Sequence, residues 1–311
     1  MKLQHETTPS IATGIWYAIA AFSLWGILPI YWKALKHVPA LQILAHRFIW
    51  SFVFVAFLIT FLGQWNNLKA VVAQRKKLLA ATACSVLICA NWGIFIWAVN
   101  ADHIVDASLG YYINPLFSVC LGMLVLRERL NFWQVLALCI AAVGVVIFAC
   151  QYGQIPWIAL SLATTFGLYG LVKKMAGIDA VIGLAIETMI LTPVALGYLF
   201  WLQQKGLGAF GHFSPGITLL LAGAGIVTAI PLLWFAKATQ QVPLSVIGFI
   251  QYLNPTMTLL LGLFLYHEPF TLIQLGGFGL IWLALALFSC SQLNFMQEHQ
   301  PARFQERTIL R

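Results

Sequence analysis

Apolar residues along this chain neither alternate with polar ones nor recur as a narrow stripe. They continue for about twenty positions, stop for a few polar residues, and resume. Ten such runs can be marked, at 12–32, 41–63, 78–99, 106–126, 132–150, 155–173, 180–202, 215–236, 243–266 and 271–291. Each has the length of an α-helix that crosses a bilayer, and none has the period-two pattern of a barrel strand. The short gaps predict antiparallel neighbours. A polar segment over 1–11, a loop around 64–77 and a tail over 292–311 lie outside the runs. The first run has no charged leader or cleavage site and reads as a retained helix.

The pattern is written twice. "NPLFSVCLGMLVLRERLNFWQ" begins at Asn114, and "NPTMTLLLGLFLYHEPFTLIQ" begins 140 positions later at Asn254. Without a gap, Asn114, Pro115, Leu121, Gly122, Glu128 and Gln134 fall on Asn254, Pro255, Leu261, Gly262, Glu268 and Gln274. The same offset carries the second, third and fifth runs onto the seventh, eighth and tenth. The unit is therefore five helices, expected over 12–150 and 151–291. An odd number of crossings leaves the second copy upside down, as in many secondary transporters, whose site lies near the midplane between the halves. The fold expected is an all-α polytopic membrane protein with ten transmembrane helices in two inverted five-helix repeats.

Composition agrees: of 311 residues 61% are hydrophobic and 8% charged, against about 25% charged in a soluble domain. The net charge of +8 would suit nucleic acid if it were clustered on one surface. It follows the predicted topology instead. Lys2, Lys69, Arg75, Lys76, Lys77, Arg127, Arg129, Lys173, Lys174, Lys237, Arg303, Arg307 and Arg311 fall on one side, and only Lys33, Lys36 and Lys205 on the other. This bias places both termini in the cytoplasm and excludes nucleic acid as the partner. The cluster "QRKK" (74–77) reads as a topology signal that can also touch anionic lipid.

Chemistry-bearing residues are few. The six cysteines lie in or beside apolar runs, form no Cys-x-x-Cys pair, and behave as small hydrophobes. No histidine pair has metal-ligand spacing, and "DHIVD" (102–106) reads as a solvated turn, so neither a metal nor another cofactor is expected. Pro115 and Pro255 cannot donate to the carbonyls of Tyr111 and Gln251, which then need partners inside a bilayer. Tyr111, Tyr112, Asn114, Gln251, Tyr252 and Asn254 are accordingly expected to contribute to a central polar cavity, though not all six can face it. Trp25-Gly26 and Tyr169-Gly170 form a further pair as candidate lining. Asn91 and Trp92 are candidates in the third run.

Arg47 and Glu187 occupy equivalent places in the two halves. A charge at membrane depth costs roughly 2.5–3.5 kcal/mol on insertion scales. Three readings are open: an ion pair that registers the halves, a dipolar site handling solute or proton, or separate roles. Glu187 is the obvious carboxylate for proton coupling, while uncoupled diffusion fits equally.

"AHRFIWSF", "NWGIFIWAVN", "ASLGYYINPL", "LRERL", "YGLVKK", "IET" and "LSVIGFIQYLNPT" together resemble the RarD group, in the EamA branch of the drug/metabolite transporter superfamily. The likeness runs from about residue 14 to 290. It implies ten helices in two EamA repeats, permease activity in a bacterial inner membrane, and a small-molecule solute such as a drug, amino acid or related metabolite. It also carries the label of chloramphenicol sensitivity or resistance, which names a phenotype. No Walker motif is present, so ATP binding is not expected. A membrane-embedded transferase is the alternative, but it would need acidic cytoplasmic loops, and these are basic with Glu128 the clear acidic candidate. A non-transporting receptor or assembly subunit is the other, opposed by the repeat around central polar groups. The solute, direction, coupling ion and oligomeric state are not readable from the chain.

Overall fold

The computed structural model describes residues 11–100, 104–150, 157–266 and 272–291. Every regular element among them is a helix. The first run becomes α1 (Ile11–Ile27) and α2 (Pro29–Ala34), joined at a break where Pro29 supplies the ring that starts a new helix. There follow α3 (Ala40–Phe61), α4 (Trp65–Ala73), α5 (Arg75–Asn100), α6 (Ile104–Leu124) and α7 (Phe132–Cys150). The second half contains α8 (Trp157–Ala176), α9 (Ala180–Gln204), α10 (Pro215–Gln241), α11 (Leu244–Ile250), α12 (Leu253–Phe264) and α13 (Leu272–Cys290). Among the described residues, six helical stretches are long and apolar enough to cross a membrane, and three shorter apolar helices accompany them. Phe57, Val194, Phe200 and Leu219 turn outward, a surface that hydrocarbon can cover and water cannot. The protein is an all-α polytopic membrane protein.

The loop expected around 64–77 instead contains α4. Its one buried residue is Leu68, while Trp65 is exposed. A search for long apolar runs passes over such a short amphipathic helix. The two Asn-Pro segments also differ. α6 continues through Pro115, whereas its counterpart divides into α11 and α12 at Gln251–Tyr252. The Gln251 carbonyl, expected to be vacant, accepts the Asn254 N–H at 3.1 Å in a tightened turn. A shift from i+4 to i+3 pairing satisfies the acceptor that Pro255 leaves behind.

The larger helix contacts run mostly between halves rather than within them, and they come in matched pairs. α6 packs on α8 as α12 packs on α1, α3 on α10 as α9 on α5, and α5 on α8 as α10 on α1. α7 with α13, α3 with α9, and α6 with α11 are each their own counterparts. Neither half would bury its inner faces alone. Close crossings depend on glycine: a Cβ on Gly248 would meet the Pro115 carbonyl at 2.8 Å, and one on Gly225 would strike the Trp50–Ser51 backbone.

Most of the repeated motif acts at one end of this bundle. Asn131 and Gln134 cap α7 reciprocally, each side-chain oxygen accepting the other's N–H at 2.8–2.9 Å. Glu128 reaches across to α11, where its carboxylate accepts the N–H groups of Leu244 and Ser245 at 2.7 and 2.8 Å. A Cβ on Gly122 would lie 2.6 Å from that carboxylate, so glycine there leaves room for the cap. The start of a helix in the other half makes this cap available. Glu268 lies outside the described residues.

Candidate functional site

Arg47 and Glu187 do not pair. Each stands seven residues beyond the start of its helix, α3 or α9. At about 1.5 Å per residue that is roughly 10 Å from the helix start. The two helices enter from opposite ends, so equivalent residues fall at mirrored depths rather than side by side. The ion-pair reading overlooked this consequence of inversion.

Glu187 is instead held by its own half. Its Oε1 lies 2.6 Å from Lys173 Nζ, and both side chains are buried. Tyr169, also buried, donates its hydroxyl to Oε2 at 3.1 Å, and Ser85 donates to the Glu187 carbonyl at 2.9 Å. α8 and α9 are joined by a turn at Gly177, and the long Lys173 side chain, near the end of α8, reaches Glu187, one to two turns into α9. Sequence reasoning missed this, although a cation near the end of one run and a carboxylate early in the next were legible. Nearby, Lys174 donates to the carbonyls of Thr239 and Val242 at 3.1 and 2.6 Å, and Gln240 donates to that of Ile178. With the Glu128 cap, these contacts close this end of the bundle, here called the basic end.

Arg47 has different company. Its Nε donates to Thr228 Oγ1 at 2.9 Å, and its guanidinium carbon lies 3.9 Å from the Trp92 ring centre and 4.8 Å from that of Trp32. Among the described residues its Nη groups have no hydrogen-bond partner and no carboxylate is bonded to it. Tyr111 lies within electrostatic reach from α6 and is 41% exposed. α3 and α6 are not packed extensively on each other among the described residues. Arg47, its partners Trp32, Trp92 and Thr228, and Tyr111 together make the site here called the Arg47 chamber, to which Thr228 brings the second half. Two cation–π contacts of about 0.5–2 kcal/mol each help offset the cost of placing Arg47 there. A narrow void with room for about one water runs on between Ser51, Trp92, Thr188, Thr228 and Glu187. It touches Glu187 on one side and Trp92 and Thr228, two of the partners of Arg47, on the other.

The other candidates separate. Trp25 and Tyr169 join Phe22, Phe166 and Phe235 in an aromatic cluster, with Tyr169 stacked on Phe235 at 5.9 Å. Asn91 is spent on α8, donating to Leu162 O and Thr165 Oγ1, both at 2.9 Å. Tyr112 meets Phe278 of α13, and Tyr252 is buried in the cluster built with α7 and α13. These two tyrosines thus serve the outer helix pair. Asn114 and Gln251 are buried; Gln251 accepts weakly from Ser118 at 3.4 Å, while Asn114 Oδ1 and the Tyr252 hydroxyl have no partner among the described residues. Asn254 turns its carbonyl toward Gly26, where a Cβ would lie 3.1 Å from it. Trp32 and Thr228 are the chamber residues that the sequence did not single out.

The EamA-like transporter family pattern matches residues 12–150 and again 155–290. The chain is 48% identical over 296 residues to the uncharacterized transporter YojE of Bacillus subtilis (strain 168), covering 94% of this chain and 98% of that one. It is 44% identical over 275 residues to protein RarD of Escherichia coli (strain K12), covering 88% and 93%. One solved crystal structure has the same fold, with a TM-score of 0.67 at 16% identity over 89% of this chain and 97% of its own.

Proposed function

The chain belongs to the EamA-like transporter family and is a membrane transporter, and from that premise we propose a secondary carrier that exports a small organic solute by alternating access. The observation that carries this reading is the contrast along the interface between halves. A cation with two indoles, and no protein counter-charge among the described residues, lies toward one end, and a latch of ion pair, cap and lysine–carbonyl bonds closes the other. Ten crossings in two inverted repeats, 12–150 and 151–291, fit the matched helix contacts. With the basic end cytoplasmic in a bacterial inner membrane, both termini are inside and the chamber opens outward. Alternation then consists of breaking the latch while the Arg47 end closes.

The transferase reading needs uncommitted carboxylates for metal and diphosphate. Among the described side chains, Glu187 is held by Lys173, Glu128 caps α11, and Asp179 caps α9 through Val181 and Ile182. Purified protein in liposomes, screened against amino acids, aromatic metabolites and amphenicols, tests transport directly. Saturable flux that unlabelled solute competes away is the expected result; no flux across the panel would sink the proposal. Orientation is tested by cysteine labelling of intact cells. A membrane-impermeant reagent should reach a reporter in 100–106 and not one in 66–76, and the reverse pattern would invert the model of which gate faces out.

A further inference from the structure

We propose that the Arg47 chamber is a monocarboxylate subsite, taking a solute with one carboxylate and a flat apolar body. This rests on the carrier reading and names its substrate class. Arg47 is the charged side chain of the site, and Thr228 engages only Nε. The edge of the guanidinium that presents two parallel N–H donors is left without a protein partner among the described residues. That edge matches the spacing of carboxylate oxygens. Thr228 fixes the plane and the indoles of Trp92 and Trp32 support it, so the donor is oriented before the solute arrives. Trp92, Trp32 and the exposed Tyr111 give the surroundings of the charge an aromatic character suited to a planar apolar group.

Charge counting narrows the class. A phosphate monoester near neutral pH carries close to two negative charges and would call for a second cation. The equivalent of Lys173 in the first half, Lys33, lies over the Tyr266 ring at 3.2 Å instead. A zwitterion would call for a free carboxylate to receive its ammonium. Glu187 is bonded to Lys173 and Tyr169, and it stands near the opposite end of the bundle from Arg47. Among the described residues the site holds one unpaired cation, which balances one anion.

The test uses the purified full chain with 3-phenylpropanoate, its neutral primary amide, phenyl phosphate and phenylalanine as probes. Binding is read by quenching of tryptophan fluorescence and flux in liposomes. Phenylpropanoate should bind saturably, with the amide at least about tenfold weaker, as loss of a charge-assisted hydrogen-bond pair requires. Arg47→Gln should abolish the discrimination between acid and amide. Thr228→Val keeps the charge and nearly the same volume, and should weaken phenylpropanoate several-fold while leaving the amide unchanged. It serves where Arg47→Gln fails to fold. Equal binding of acid and amide, or a preference for phenyl phosphate or phenylalanine over phenylpropanoate, overturns the subsite. If other solutes are transported saturably in that case, the carrier reading stands without it. Saturable, Thr228-dependent binding of phenylpropanoate without flux of any solute supports the subsite and removes the carrier reading.

Discussion

The two ends of the bundle hold the same sequence positions with opposite electrostatics. At the basic end Lys173 and Glu187 attract and are bonded. At the other end their repeat equivalents are Lys33 and Arg47, two cations that cannot bond, one turned to the Tyr266 ring and the other to Trp92 and Trp32. A duplicated scaffold would by itself make the two gates alike. Exchanging one carboxylate for an arginine makes one gate a latch and leaves the other held apart. In the carrier proposed above, this difference would favour a resting state closed at the basic end, without any change of fold.

The largest effect expected from breaking this contrast comes from Glu187→Gln. It leaves Lys173 buried without its counter-charge, a loss of about 3–5 kcal/mol, visible as reduced folded yield and a lower Tm in detergent. Lys173→Met with Glu187→Leu, which removes both charges, should recover most of that loss. A double variant no better than the single would show that the ion pair is not what holds α8 to α9. Exchange of signs between halves, Arg47→Glu with Glu187→Arg, should be at least as damaging as either single change, because it sets an arginine beside Lys173. Rescue by the exchange would restore the direct Arg47–Glu187 pair that the geometry denies.

A smaller effect is expected at the cap. Glu128→Ala removes the acceptor of two N–H groups at the start of α11, worth about 0.5–2 kcal/mol. Gly122→Ala should act in the same direction by crowding the carboxylate. Both should raise the labelling rate of a cysteine introduced at Gln241, which lies beside the latch. Unchanged labelling in both variants would separate the cap from the gate. The smallest effect on stability belongs to Asn114→Ala. Its Oδ1 is buried without a partner, so removal should cost less than a normal buried hydrogen-bonded amide. If transport also stays normal, that oxygen serves neither solute nor ordered water, and the Asn-Pro motif is a kink alone.

Much of this protein was legible before any coordinate. Helical character and the length of the long spans follow from how far apolar residues run, because a bilayer imposes one length on every crossing. The duplication is spelled in matched residues, and the positive bias fixes an expected orientation. The roles of Gly122 and Glu128 were visible as a recurring pattern, but not as a cap, since the helix they cap starts more than a hundred residues away. Depth was also implicit: an inverted repeat mirrors equivalent residues, which separates Arg47 from Glu187. What only the tertiary structure decided is which neighbour each polar group takes. Tyr111 reaches the Arg47 chamber while the adjacent Tyr112 turns to α13, and Asn91 is consumed by the carbonyl of Leu162. In a uniformly apolar helix the sequence carries no stripe that says which face looks inward. Rotation about the helix axis is set by the glycine crossings and by partners in the other half, and these exist only once the two halves have packed.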